Sequence, residues 1–172
     1  MPEPDSNTKR YFASMCGAWV GAYRFEVTDF TALRKAVPRR LDRWRVWAMH
    51  LAGRATMHTT VSWTPEGDVR HTTRVSSFGL PGMLSTELFR LNDDGRTFAV
   101  SMCQRFPPLF RRRTFTEGRG EVTDPLLGAD YHLPWLGGEI DQRARITSEG
   151  VELTQSCDWF RASVVLRSVR GQ

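Results

Sequence analysis

The sequence predicts a mainly β protein: a single antiparallel up-and-down β-barrel of about eight to ten strands, formed by residues 1–172 as one domain. Three observations carry this. Apolar and polar residues alternate with period two along most of the chain, the spacing of strands with one buried face. The alternating runs are separated by turn chemistry, TPEGD at 64–68, NDDG at 92–95 and SEG at 148–150, which joins neighbours as hairpins. A meander of that size exposes two edges unless it closes on itself, and closure removes both. At 172 residues, with 40% hydrophobic and 25% charged content, the chain has enough apolar surface for one core and an ordinary globular composition.

GAWVGAYRF (17–25) reads as the first strand. A helical insertion follows at about 29–52. Asp29 can cap a helix carrying Phe30, Leu33 and Val37, Pro38 interrupts it, and Leu41, Trp44, Ala48 and Leu51 form a second stripe ending at Gly53. These two helices are expected to lie across one barrel mouth as a lid, and a short helix is expected before the first strand. Ala55, Met57, Thr59, Val61 and Trp63 then share one face of a strand, and Val69, His71, Thr73 and Val75 share a face of the next. FGLPG (78–82) ends that run. Met83–Leu91 and Phe98–Cys103 continue the meander until Pro107 and Pro108. Arg113–Val122 is a weaker strand in which Gly118 and Gly120 suit a bulge or sharp bend. DPLLGADYHLPWLGG (124–138) reads as an irregular loop, and strands at 139–147, 151–159 and 162–170 complete the count.

Composition narrows the function classes. The opening MPEPDSNTKR has no apolar core, so no secretory signal is expected, and no run approaches a membrane span. Three scattered cysteines, Cys16, Cys103 and Cys157, then read as reduced thiols, and a cytoplasmic location follows as the expectation. The net charge of +5 comes almost wholly from Arg, with Lys9 and Lys35 the only lysines. No nucleic-acid-binding signature accompanies it, so nucleic acid is not expected as a partner. His50, His58 and His132 have no metal-ligand spacing, and neither a phosphate-binding Gly loop nor a nucleophile elbow is present. No metal or cofactor is therefore expected, and the protein is expected to be a monomer or homodimer.

Two segments and one insertion resemble the calycin superfamily, the lipocalins and intracellular fatty-acid-binding proteins. TKRYFASMCGAWVGAY (8–23) is similar to the short helix that runs into the lipocalin Gly-x-Trp motif, here Gly17 and Trp19. VVLRSVR (164–170) resembles the last lipocalin strand, whose Arg packs over that Trp, with Arg167 and Arg170 as candidates. Two helices directly after the first strand are similar to the fatty-acid-binding-protein lid. The resemblance implies a lipocalin-like barrel holding a hydrophobic small molecule. The final strand lacks the Arg-x-Tyr carboxylate clamp, so a free fatty acid is not implied.

Small closed barrels can keep an interior cavity for one ligand, lined by apolar groups and a few orienting polar ones. Taking the apolar face of each strand as inward, Phe25, Met57, Trp63, Met102 and Trp159 are candidate apolar contacts. Thr59, Thr73, Gln104, Gln142 and Gln155 are the candidate polar contacts on the same faces. His71 can act as acid or base near neutral pH, Glu87 falls on a neighbouring inward face, and Tyr23 projects from the first strand. The preferred expectation is binding of a hydrophobic or aromatic small molecule. The alternative is a cofactor-free isomerase, cyclase or lyase of secondary metabolism, with His71 and Glu87 moving protons and Tyr23 polarising a carbonyl.

Overall fold

The computed structural model describes residues 7–77, 80–106, 110–123, 125–133 and 138–169. Ten strands follow one another: β1 (Gly17–Val27), β2 (Arg54–Trp63), β3 (Val69–Ser77), β4 (Leu80–Leu91), β5 (Thr97–Phe106), β6 (Phe110–Thr123), β7 (Leu126–Leu133), β8 (Gly138–Thr147), β9 (Gly150–Cys157) and β10 (Phe160–Ser168). Each pairs antiparallel with its sequence neighbours, and β1 pairs with β10, so the sheet is a closed barrel without a free edge. Alternation places one residue set inside. In β10, Phe160, Ala162, Val164 and Leu166 are buried, while Arg161, Ser163, Val165 and Arg167 face out. Each fully buried aliphatic or aromatic side chain contributes about 1.5–3 kcal/mol relative to exposure.

Helices close both ends. At one, α1 (Asn7–Met15) buries Tyr11, Phe12 and Met15, and the Phe12 ring meets those of Phe89 and Phe98. Thr8 donates to the Gly95 carbonyl at 2.9 Å, and the Trp19 indole N–H donates to the Met15 carbonyl at 2.8 Å. Trp19 thus sits half-buried beneath α1 as the sequence implies. Arg167 is exposed, and Arg170 lies outside the described residues.

The opposite end carries α2 (Phe30–Ala36) and α3 (Arg40–Ala52). Asp29 caps α2 by accepting from the Thr31 and Ala32 N–H groups at 2.7 and 2.9 Å. The Arg43 guanidinium donates to the Val37 and Pro38 carbonyls, fixing the corner between the helices. His50 Nδ1 accepts from the Val27 N–H at 3.1 Å and ties α3 to β1. Leu33, Val37 and Val46 supply the buried contact.

Four features differ from the sequence expectation. First, Leu126–Leu133 is a strand paired to both neighbours rather than loop: Leu127, Ala129 and Tyr131 face inward at period two, and Gly128 and Ala129, weak strand formers, mask that pattern. Second, β6 keeps regular register through Gly118 and Gly120, where a bulge or bend was expected. These glycines are instead places of close approach, since a Cβ on Gly120 would collide with the Phe98 ring and the Gly128 carbonyl. Third, β9 stops at Cys157 and Asp158–Trp159 form the turn into β10. Fourth, of FGLPG (78–82), expected to end the β3 run, Leu80, Pro81 and Gly82 belong to β4 and pair it to β3. Residues 78–79 and the expected break at Pro107–Pro108 lie outside the described residues. The barrel takes Val46 and Met49 of α3, and the stripe of Leu41, Trp44 and Leu51 faces solvent.

Gly120→Ala is expected to lower stability by about 1–3 kcal/mol, because backbone and a buried ring must both yield. Chemical denaturation of the variant beside the parent protein measures this.

Candidate functional site

Register brings the interior polar groups into tiers. Thr59 pairs with Thr73, Thr73 with Ser85, and Ser85 with Gln104, so four polar side chains from β2 to β5 share one level. The next level runs Val61, His71, Glu87 and Met102. Across the barrel, Gln142 on β8 lies beside Gln155 on β9 and Ala129 on β7, with Tyr131 one step along. Tyr23 of β1 completes the ring.

The Thr59 hydroxyl lies 2.5 Å from His71 Nε2, 3.0 Å from the Thr73 hydroxyl and 3.1 Å from the Thr72 carbonyl, and its one proton serves one of these contacts at a time. His71 Nδ1 stands 3.0 Å from Glu87 Oε2. Both ring nitrogens are therefore occupied by protein. Glu87 Oε1 takes no part in the bond to His71 and belongs to a side chain that lines the cavity.

Opposite, the Gln155 amide donates to the Tyr131 hydroxyl at 3.0 Å and to Gln142 Oε1 at 2.6 Å. Tyr131 also donates to Gln142 Oε1, and Tyr23 donates to Gln155 Oε1 at 3.4 Å. Burial pushes the Tyr23 phenol far above the ordinary range. Burial does the same to Tyr131, and the charge of Glu87 adds to it. Both phenols therefore remain protonated donors at any physiological pH.

These groups surround a central cavity of about 50 Å³, with a cavity of about 70 Å³ toward α3 and one of about 30 Å³ toward α1. The first two share Tyr23, Phe25, Met49 and Met83; the central cavity and the α1-side one share His71, Gln142 and Leu153. A space of about 50 Å³ accommodates a few water-sized groups, and a larger guest needs the pliable Met49 and Met83 side chains at the α3 end to move. Ser85 is 3% exposed, lines the cavity, and its hydroxyl has no hydrogen-bond partner.

Of the residues singled out from sequence, Tyr23, Phe25, Met57, His71, Thr73, Glu87, Gln104, Gln142 and Gln155 line the central cavity. Thr59 is buried behind His71 and braces it, and Met102 is buried beside Glu87 without lining the space. Trp63 ends β2 at the α1 side and is 39% exposed, because its strand stops at the barrel rim. Trp159 is buried in the β9–β10 turn, where its carbonyl accepts from Thr28 and Asp29, so it anchors the lid end rather than the cavity wall. Ser85, Tyr131, Ile140, Phe160 and Met49 join the interior without having been singled out. Ser85 stands two residues before Glu87 on the same face, so period two alone would have found it. Tyr131 was hidden in the segment read as loop.

Among the described residues, no group of three or more His, Cys, Asp or Glu side chains could hold a metal ion. No helix among them is long and apolar enough to cross a membrane. No protein-family model matches the chain, and no curated protein is detectably similar to it in sequence. What the fold and site define is a closed antiparallel ten-stranded barrel with a polar ring inside an apolar interior.

The tyrosines set an alkaline limit. Their phenols hold protons more tightly folded than unfolded, so their contribution is complete below about pH 10 and is lost as pH rises above it. Stability is expected to fall by up to about 1.4 kcal/mol per pH unit per tyrosine above that point. Urea midpoints taken from pH 8 to pH 11 read this slope, and Tyr23→Phe is expected to make it shallower.

Proposed function

We propose that this protein binds a hydrophobic or aromatic small molecule inside a calycin-like barrel, with the polar end of the guest held at the Thr73–Ser85–Gln104 level. The observation that carries this is the unpartnered Ser85 hydroxyl, buried in a cavity where the neighbouring polar side chains converge. A buried hydroxyl without a partner costs about 1–3 kcal/mol, and a ligand that supplies the partner recovers it. The two-helix insertion after β1 and the helix over Trp19 support the calycin reading, and the methionines at the α3 end supply a deformable entrance. Native mass spectrometry of the purified protein is expected to detect a stoichiometric small-molecule adduct that denaturation releases. Ser85→Ala is expected to raise the stability of the ligand-free protein by about 1 kcal/mol while weakening the eluted ligand, or the neutral dye Nile red, about tenfold. Absence of any adduct together with unchanged Nile red affinity in Ser85→Ala overturns the reading.

A second reading, acid–base catalysis on the bound molecule, is favoured by the His71–Glu87 hydrogen bond. In it Glu87 transfers the proton through Oε1, His71 positions and polarises it from behind, and Tyr23 donates to a carbonyl of the substrate. Such a group contributes about 10²–10⁴-fold to rate. Glu87→Gln is then expected to bind the eluted molecule as the parent does but to convert it at least a hundredfold more slowly. Undiminished conversion by that variant sinks the catalytic reading and leaves the binding one standing.

A further inference from the structure

The outer face of the lid is unlike the rest of the surface. At about 100° per residue, Leu41, Trp44, Trp47, Ala48 and Leu51 of α3 fall within an arc of about 120°, opposite the face that Val46 and Met49 turn to the barrel. Leu41 is 53% exposed, Trp44 56%, Trp47 47% and Leu51 61%. A helix apolar on both faces has a use for the second one.

Charge identifies that use. Residues 29–54 contain seven Arg and Lys against two acidic residues, Asp29 and Asp42. That segment accounts for the whole net charge of +5, and the remainder of the chain is electrically balanced. Asp29 caps α2 and Asp42 is buried in α3, and both are already counted in that excess. Arg34, Lys35, Arg39, Arg40 and Arg54 are exposed, with Arg39 and Arg40 at the N-terminal end of the α3 stripe. Tryptophan and leucine at the centre with arginine and lysine at the margin is the arrangement of a helix that lies in the headgroup region of an anionic bilayer.

We propose that α2 and α3 dock the barrel flat on an anionic lipid surface, with Trp44, Trp47, Leu41 and Leu51 inserted at the headgroup level. Two other occupants fit less well. A second copy would bring two faces of the same positive charge together. A polynucleotide would leave Leu41 and Leu51 without an apolar counterpart. The docked face is also the entrance end: the cavity of about 70 Å³ is lined by Met49 of α3 with Gly53, Arg54 and Met83, directly beneath the helix. An apolar guest would then pass between bilayer and barrel without crossing water. The docking itself does not depend on the identity of the guest, nor on the binding reading above.

Vesicle flotation with the full chain tests this. Vesicles of phosphatidylcholine with about a third phosphatidylserine are expected to bind the protein at least tenfold more strongly than phosphatidylcholine alone. The difference should collapse when salt rises from about 0.1 M to about 0.5 M. Trp44→Ala with Trp47→Ala is expected to weaken partitioning at least tenfold while leaving the thermal midpoint in place, since both rings are half-exposed. Arg39→Glu with Arg40→Glu is expected to remove the preference for phosphatidylserine. Equal partitioning to both vesicle types, or a double tryptophan variant within twofold of the parent, overturns the proposal. So does a concentration-dependent dimer that the tryptophan substitutions dissolve in the absence of vesicle binding, which would assign the face to a second copy.

Discussion

Closure of the sheet through the β1–β10 seam is the constraint from which the rest follows. An open ten-stranded meander could direct polar residues from either face to water. The closed one directs alternate residues of all ten strands into a single narrow interior. Polar side chains on those positions must then satisfy one another. The Thr59–His71–Glu87 chain on one side and the Tyr23–Gln155–Tyr131–Gln142 network on the other are the result. Ser85 marks where that internal accounting stops short.

The two polar networks differ in what they can do. The tyrosine and glutamine side holds its protons firmly, because burial makes phenolate formation unfavourable. The histidine and glutamate side joins an imidazole to a carboxyl group at 3.0 Å, two kinds of group that exchange protons readily. A guest in the cavity therefore meets fixed donors on one wall and an adjustable pair on the other. Such asymmetry orients a polar group, and it is also what proton transfer requires.

Much of this was legible in the sequence, for one reason: period two survives wherever strands are regular and one-sided. It revealed the barrel, the inward faces of β2 to β5, and the neighbourhood of His71 and Glu87 across strands. It failed where small residues diluted the pattern, as at Gly128 and Ala129, so β7 was read as loop and Tyr131 was missed. Helical spacing located α2 and α3 but did not say which face of α3 the barrel takes. Leu41, Trp44 and Leu51 make the stronger apolar stripe, yet the barrel takes Val46 and Met49. Hydrophobicity alone does not say which of two apolar faces a fold will use. Trp63 and Trp159 lie outside the lining of the central cavity for a related reason, since alternation runs to the end of a strand and that cavity occupies the middle of the barrel.

The seam has a consequence in time as well as in space. β1 is the first strand of the ring and β10 the last, and Trp19 pairs opposite Ser168, 149 residues further along the chain. Local hairpins can form early, but the ring cannot shut until the last strand arrives, and long-range pairing of this kind is slow. Until then β1 has one pairing edge open beside the lid segment and its tryptophans. During synthesis the barrel thus stays an open sheet until β10 emerges, and it becomes a container only with that strand.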